Sequence, residues 1–452
     1  MAPGEPVFGH LRVLRDRPLQ QFVQWADTYG DAVSMRLPGS PFVFVAAPEG
    51  VKHVLQTHAK LYSKQTRGFD KMRLFLGNGL VTSEGDFWRR QRRIAAPAFH
   101  RQRIEGFAET MTRATGDMLG RWAREGDGTR DVERELMTLT MRIASETLLG
   151  KDLSGAADAV GEALSFLTVN TTERINRVVD LPLDWPTPEN RRYLKAVAVV
   201  DAVLGKLIEE RRRDGAPHHD LLSMLLEATD EETHEKMTDA QLRDEAVTIF
   251  AAGHETTSNA LSWTFYLLGR HPEIAARLYA EVDRVLGGRC PTLADLPQLA
   301  FTKQVIQESM RLYPPAWIIG RRAEVDDTLC GYKIAAGTQV ILSPYATHRH
   351  PRHWADPEVF DPDRFSAERS EGRAAFAYFP FGGGPRICIG NSFAMMEAQL
   401  ILAMVSQAYR LELAPGTVVE AERGITLRPA PALPMRLRPR AQAATAPREA
   451  TS

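Results

Sequence analysis

The sequence predicts a mainly α-helical fold with a minor β region (α+β), organised as one large domain. Three observations carry that expectation. From Gln102 to about Gly215 the chain is nearly all helical in pattern, with breaks near Gly126–Gly128, Gly150 and Pro182–Pro188. A second stretch, Thr238 to Gly269, would cross a whole domain at about 1.5 Å per residue. β-forming residues gather only in short clusters: Ala32–Arg36, Phe42–Ala46, Tyr332–Ile334 and Gln339–Leu342. The 452 residues could hold about two or three average domains. No Ser/Gly/Pro-rich linker, low-complexity tract or internal repeat divides them, so residues 1–440 read as one body and Ala441–Ser452 as a disordered tail.

Composition excludes several classes of function. The 44% apolar fraction suits a sizeable core. Lys+Arg (56) and Asp+Glu (57) nearly cancel, which argues against a nucleic-acid partner. Cys290, Cys330 and Cys388 are too few and too scattered for a disulfide framework or a tetrahedral zinc site, and fit a reducing compartment. The N-terminal MAPGEPVFGH has neither a secretory pattern nor the roughly 18 apolar residues of a membrane anchor. A soluble, cytoplasmic protein is expected.

In chain order, Pro38-Gly39-Ser40 joins the first two strand clusters as a hairpin, and Pro48 opens a short helix ending near His58. Tyr62 to Val81 shows no period, contains Gly77-Asn78-Gly79 and reads as a long loop. A helix follows from about Glu84 to Ala95, with Trp88 and Arg92 on one face at i, i+4 spacing. By itself it is an ordinary solvated basic helix. The Thr238–Gly269 segment opens on a capping box, Thr238 with Gln241, and ends before Pro272. Its flanks are apolar (Val247, Ile249, Phe250; Leu261, Phe265, Leu267), yet its centre reads Gly253-His254-Glu255-Thr256-Thr257-Ser258-Asn259. Polar groups inside a buried helix cost stability unless they find partners, which marks the centre as functional. Glu308 and Arg311, on a helix ended by Pro314-Pro315, would alone be an ordinary i, i+3 pair. From Arg410 to Arg436 two or three short strands are expected.

The stretch around which the rest is arranged is Phe381–Gly390, FGGGPRICIG, with Cys388 at or just before the start of an apolar helix. Successive glycines permit sharp bends and close backbone approach. A cysteine before a helix N-terminus meets unpaired amides and the positive end of the dipole, so its thiolate is expected to be favoured. A lone cysteine beside a glycine-rich turn is also compatible with a structural role.

The pattern F-x-x-G-x-R-x-C-x-G, filled by Phe381, Gly384, Arg386, Cys388 and Gly390, resembles the haem-binding loop of the cytochrome P-450 family. Ala252-Gly253-His254-Glu255-Thr256-Thr257 is similar to that family's oxygen-binding helix, Glu308-x-x-Arg311 and Pro362-Asp363-Arg364-Phe365 to its two ionic motifs, and Trp88-x-x-x-Arg92 to its propionate helix. The resemblance covers essentially the whole chain and implies the cytochrome P-450 fold with heme b. By it Cys388 is the iron ligand; Trp88, Arg92, Arg321 and Arg386 hold the propionates; and Phe381, Gly382 and Ala252 lie against the cofactor. Glu255 and Thr256 become the acid–alcohol pair that supplies protons to dioxygen. Trp317 and Ile318 face the substrate pocket, and Glu308, Arg311 and Arg364 form a structural ionic cluster. The implied function is a haem-thiolate monooxygenase inserting one atom of dioxygen into an apolar small molecule: a fatty acid, terpenoid, steroid or polyketide-like compound. Electrons from NAD(P)H would come through a separate ferredoxin or flavodoxin with its reductase, since 452 residues leave no room for a flavin or iron–sulfur domain. Two other readings use the same scaffold. A peroxide-driven peroxygenase or isomerase would not need Glu255-Thr256, and a haem sensor would more naturally use histidine ligation. Arg89, Arg90 and Arg93 could form a docking patch for an acidic ferredoxin, or simply a solvated helix face.

Overall fold

The computed structural model describes residues 4–440 apart from 6–8, 38–39, 127, 151–156, 178 and 215–219; the expected tail at 441–452, the Pro38-Gly39 corner and Gly215 lie outside them. β1 (Ala32–Leu37) and β2 (Ser40–Val45) form the antiparallel hairpin that their strand-forming residues predict, Ala32 facing Val45 and Leu37 facing Ser40. After β3 (Tyr62–Ser63) comes a helix, α1 (Arg67–Leu76), which corrects the expected long loop. Phe75 and Leu76 are its buried residues, too short an apolar stripe to announce a period. Gly77, read from sequence as loop chemistry, instead ends the helix at φ 64°, a conformation that suits glycine.

α2 (Gly85–Ala95) and α3 (Val132–Leu148) follow, and α3 packs along α4 (Asp239–Arg270), the long helix predicted between Thr238 and Gly269. The capping box is formed in both directions: Gln241 N donates to Thr238 Oγ1 and Thr238 N to Gln241 Oε1. Val247, Phe250, Leu261 and Phe265 are buried, so both ends of α4 are anchored in the main apolar core. That leaves its polar centre fixed in place.

α5 (Ala300–Leu312) leads into β4 (Ile319–Ala323), and β5 (Gln339–Leu342) completes one five-stranded sheet in the order β1-β2-β5-β4-β3. β2 and β5 run parallel; the other neighbours are antiparallel. α6 (Asn391–Ala408) closes the core against α5 and α4. The C-terminal region holds four short strands, Tyr409–Leu413, Glu420–Arg423, Leu427–Ala430 and Pro434–Pro439, rather than two or three. The last pairs with a strand not expected from sequence, Thr129–Asp131, whose three residues are too few to show alternation.

Candidate functional site

A cavity of about 1560 Å³ lies between α4, α6, β4 and the Phe381–Gly390 loop, and Cys388, Phe381 and Gly382 are in its wall. The loop is closed by a hydrogen bond from Cys388 N to Phe381 O (3.0 Å). Gly384 explains one of the glycines: at φ 62° a side chain there would stand 1.8 Å from Leu55 O, in the π-helical turn His53–Thr57. Cys388 is exposed to the cavity, with protein packed densely around the rest of it. That burial pushes its thiol pKa up, against the opposing pull of the Gly390 amide and Arg92. The amide and Arg92 act in the direction expected of a helix-start thiolate, and desolvation opposes them in the polypeptide alone. Desolvation outweighs the favourable dipoles, and a bound cation would be needed to reverse the balance.

Along one wall the cavity gathers four cations: Lys64, Arg92, Arg321 and Arg386. Burial holds Arg321 and Arg386 each down to about 10 and also depresses Arg92, while for Lys64 burial and the neighbouring arginines act together. Glu84, paired with Arg386 at 3.0 Å, is a single carboxylate against that excess. Arg386 is further pinned by Ser83 O (2.8 Å) and stacks on the Trp88 ring at 3.7 Å. Lys64 donates to Val81 O (2.7 Å) above the Phe69 ring. Under-compensated cations beside a buried cysteine fit a flat dianionic cofactor, with the sulfur on its iron and the cations at its carboxylates. Lys64 escaped the sequence reading because it sits in the stretch taken for a loop, one lysine with no spacing to mark it.

The polar centre of α4 is turned in two directions. Ala252 and Thr256 line the cavity, and Thr256 Oγ1 donates back to Ala252 O (2.8 Å). Glu255 is not in the cavity wall; it accepts from Thr426 Oγ1, beside the C-terminal strands. Successive helical residues point about 100° apart, and here that step carries Glu255 off the cavity wall that Thr256 and Thr257 line. Asn259 Nδ2 also donates to Thr426 Oγ1 (3.1 Å), and His254 Nδ1 to Phe250 O (2.8 Å).

Thr257 leads to a group the sequence reading passed over, Glu397 of α6. Its carboxyl is buried and hydrogen-bonded to Thr257, and its other oxygen, Oε2, has no partner among the described residues. Desolvation raises its pKa to about 8 against the opposing Thr257 bond, so near neutrality it is largely an acid. Thr257 Oγ1 can then pass its own hydrogen to Gly253 O (3.3 Å). Because the folded pKa exceeds the unfolded one, stability is full at low pH and is lost as pH rises through about 8. Glu397→Gln is expected to flatten this slope. Urea unfolding between pH 6 and 9 should show the wild type losing stability faster than the variant; parallel curves would contradict the raised pKa.

Trp317 and Ile318 both line the cavity, the indole of Trp317 fixed by donation to Gly424 O (3.0 Å). Glu308, Arg311 and Arg364 lie together, Arg311 Nε at 2.7 Å and Arg364 Nε at 3.3 Å from the Glu308 carboxylate. The α2 arginines do not make a free basic patch. Arg89 pairs with Asp86, Arg90 with Glu235, and Arg93 with Asp230 and Glu232. Among the described residues no helix is long and apolar enough to cross a membrane.

Comparison with known proteins bears on the whole chain. The family model for Cytochrome P450 matches residues 2–433. Cyclooctat-9-en-7-ol 5-monooxygenase of Streptomyces melanosporofaciens is 39% identical, over 92% of this chain and 90% of that protein. Pentalenene oxygenase of Streptomyces avermitilis is 36% identical, over 92% and 91%. The crystal structure of the cytochrome P450DA heme domain superposes with a TM-score of 0.89 at 30% identity, each chain covered to 97%.

Proposed function

The chain belongs to the cytochrome P450 family, a haem-thiolate monooxygenase, and from that premise we propose that it oxidises a cyclic terpenoid. The observation that carries this is the cavity. At about 1560 Å³ it exceeds the roughly 300–1,000 Å³ of an ordinary ligand pocket, enough for a haem with a multi-ring hydrocarbon. Val81, Ile249, Ala260, Trp317, Ile318 and Ile425 give it apolar walls. The oxidation of cyclooctat-9-en-7-ol and pentalenene by the two relatives supports that substrate class over a fatty acid.

Haem with a thiolate ligand supplies the oxygen chemistry: one atom enters the substrate, the other becomes water, and two electrons come from NAD(P)H. The polypeptide supplies the rest. Cys388 gives the sulfur; Lys64, Arg92, Arg321 and Arg386 hold the propionates; Trp317 and Ile318 orient the substrate and exclude water. Thr256 Oγ1 holds a proton at the cavity wall, with Ala252 O accepting it at rest. Glu255, off the cavity wall with its carboxylate accepting from Thr426, is the acid of the pair in this reading. An alcohol placed on the wall favours use of dioxygen over a peroxide-driven reaction. The haem domain spans residues 1–440, works in the cytoplasm, and takes electrons from a ferredoxin or flavodoxin with its reductase. The paired α2 arginines leave the docking face to other residues.

Two measurements test this reading. Titration of the holoenzyme with cyclic sesquiterpenes and diterpenes is expected to shift the iron spin state at lower concentrations than fatty acids do. The reverse order would sink the terpenoid assignment. Cys388→Ala is expected to abolish the red-shifted band of the reduced carbon-monoxide complex; a variant that keeps it would have another ligand.

A further inference from the structure

A second pocket, about 320 Å³ in volume, shares no lining residue with the large cavity. Arg352, Arg364, Arg369 and Arg373 line it, with His353 and a single carboxylate, Glu371. We propose that this pocket binds a phosphate-type oxyanion, inorganic phosphate or diphosphate, between Arg373 and the rim arginines.

The charge around it is unbalanced. Glu308 already answers two guanidiniums, Arg311 and Arg364. Arg373 adds a third, and among the described residues it has no carboxylate in ion-pair range. It donates to the backbone carbonyls of Arg364 and Arg369. Its guanidinium lies over two adjoining rings, 4.6 Å from the Trp354 centroid and 4.8 Å from that of Phe365, whose centroids are 6.0 Å apart. Arg311 also lies against the Trp354 ring, at 5.1 Å, so one indole contacts two like charges. Burial and the fields of Arg311 and Arg364 disfavour the charge on Arg373, while Glu308 and Tyr378 favour it.

The rim differs. Arg352 pairs with Asp31, and Arg369 with Asp361 at 2.8 Å, yet their side chains remain 56% and 50% exposed and can swing inward. A planar guanidinium fixed by stacking offers its N–H fork without further ordering cost, the geometry that suits a tetrahedral oxyanion. Glu371 repels an anion and sets a limit on affinity. An anion here would offset the cationic excess beside Glu308 and brace the segment leading into Phe381.

The test uses the holoenzyme in chloride buffer, titrated with inorganic phosphate or diphosphate at constant ionic strength. Either anion is expected to raise the unfolding midpoint, as any ligand selective for the native state does, and to bind one per chain by calorimetry. Arg373→Gln should weaken binding by about tenfold or more. Should that variant fail to fold, Arg369→Gln and Arg352→Gln, both on exposed side chains, are expected to weaken it several-fold with the haem spectrum intact. No midpoint change beyond that of sodium chloride, or unchanged affinity in both rim variants, would overturn the proposal.

Discussion

Glu308→Ala is expected to cost about 3–5 kcal/mol of stability, enough to empty most of the protein of haem during expression. The carboxylate accepts from Arg311 Nε and Nη2 at 2.7 and 2.8 Å and from Asp361 N at 2.9 Å, and lies 3.3 Å from Arg364 Nε. Removing it leaves buried guanidiniums facing one another and takes the acceptor from the Asp361 amide. Arg311 would keep its bonds to the His348, Pro357 and Val359 carbonyls, which hold it inside rather than releasing it to water. Denaturant unfolding of purified protein measures the loss. A deficit under about 1 kcal/mol, the scale of an exposed pair, would mean that water enters the cluster.

Thr256→Ala is expected to leave substrate binding and iron reduction intact while diverting turnover to hydrogen peroxide. Product formed per NAD(P)H consumed should fall several-fold, the scale of a lost proton-transfer group. The hydroxyl occupies the cavity wall and its only described bond is to Ala252 O, so it can turn toward a water without breaking packing. NAD(P)H, product and peroxide are measured together. Wild-type coupling in the variant would reduce Thr256 to a packing residue. The proton supply would then have to run through Glu397 and Thr257 or through ordered water.

What was legible in the sequence is local pattern. The capping box and the apolar flanks of α4 are stated within a few residues of one another, and so are F-x-x-G-x-R-x-C-x-G and Glu308-x-x-Arg311. Three features were not legible, and a fourth was overlooked. α1 buries one short stripe and ends on a glycine that also reads as loop. Thr129–Asp131 is a strand only because Pro434–Arg436 lies beside it. Lys64 owes its role to arginines from three other segments. Glu397 could have been found, since it is the one charged residue in the eighteen of α6. The reasoning that marked the polar centre of α4 applies to it equally.

If Glu255 serves as the proposed acid, its bond to Thr426 would make the oxygen chemistry sensitive to fit. Thr426 follows Gly424 and Ile425, which line the cavity, and Gly424 O also anchors the Trp317 indole. The segment that lines the cavity is therefore the segment whose next residue bonds the Glu255 carboxylate. On that proposal, a ligand seated snugly against Ile425 would leave the Thr426–Glu255 bond in place, whereas one that crowds that corner would disturb it. Waste of reducing equivalents then becomes a ruler of molecular shape. Among closely related terpenoids, the fraction lost to peroxide should track how each packs at Ile425 more closely than how tightly it binds.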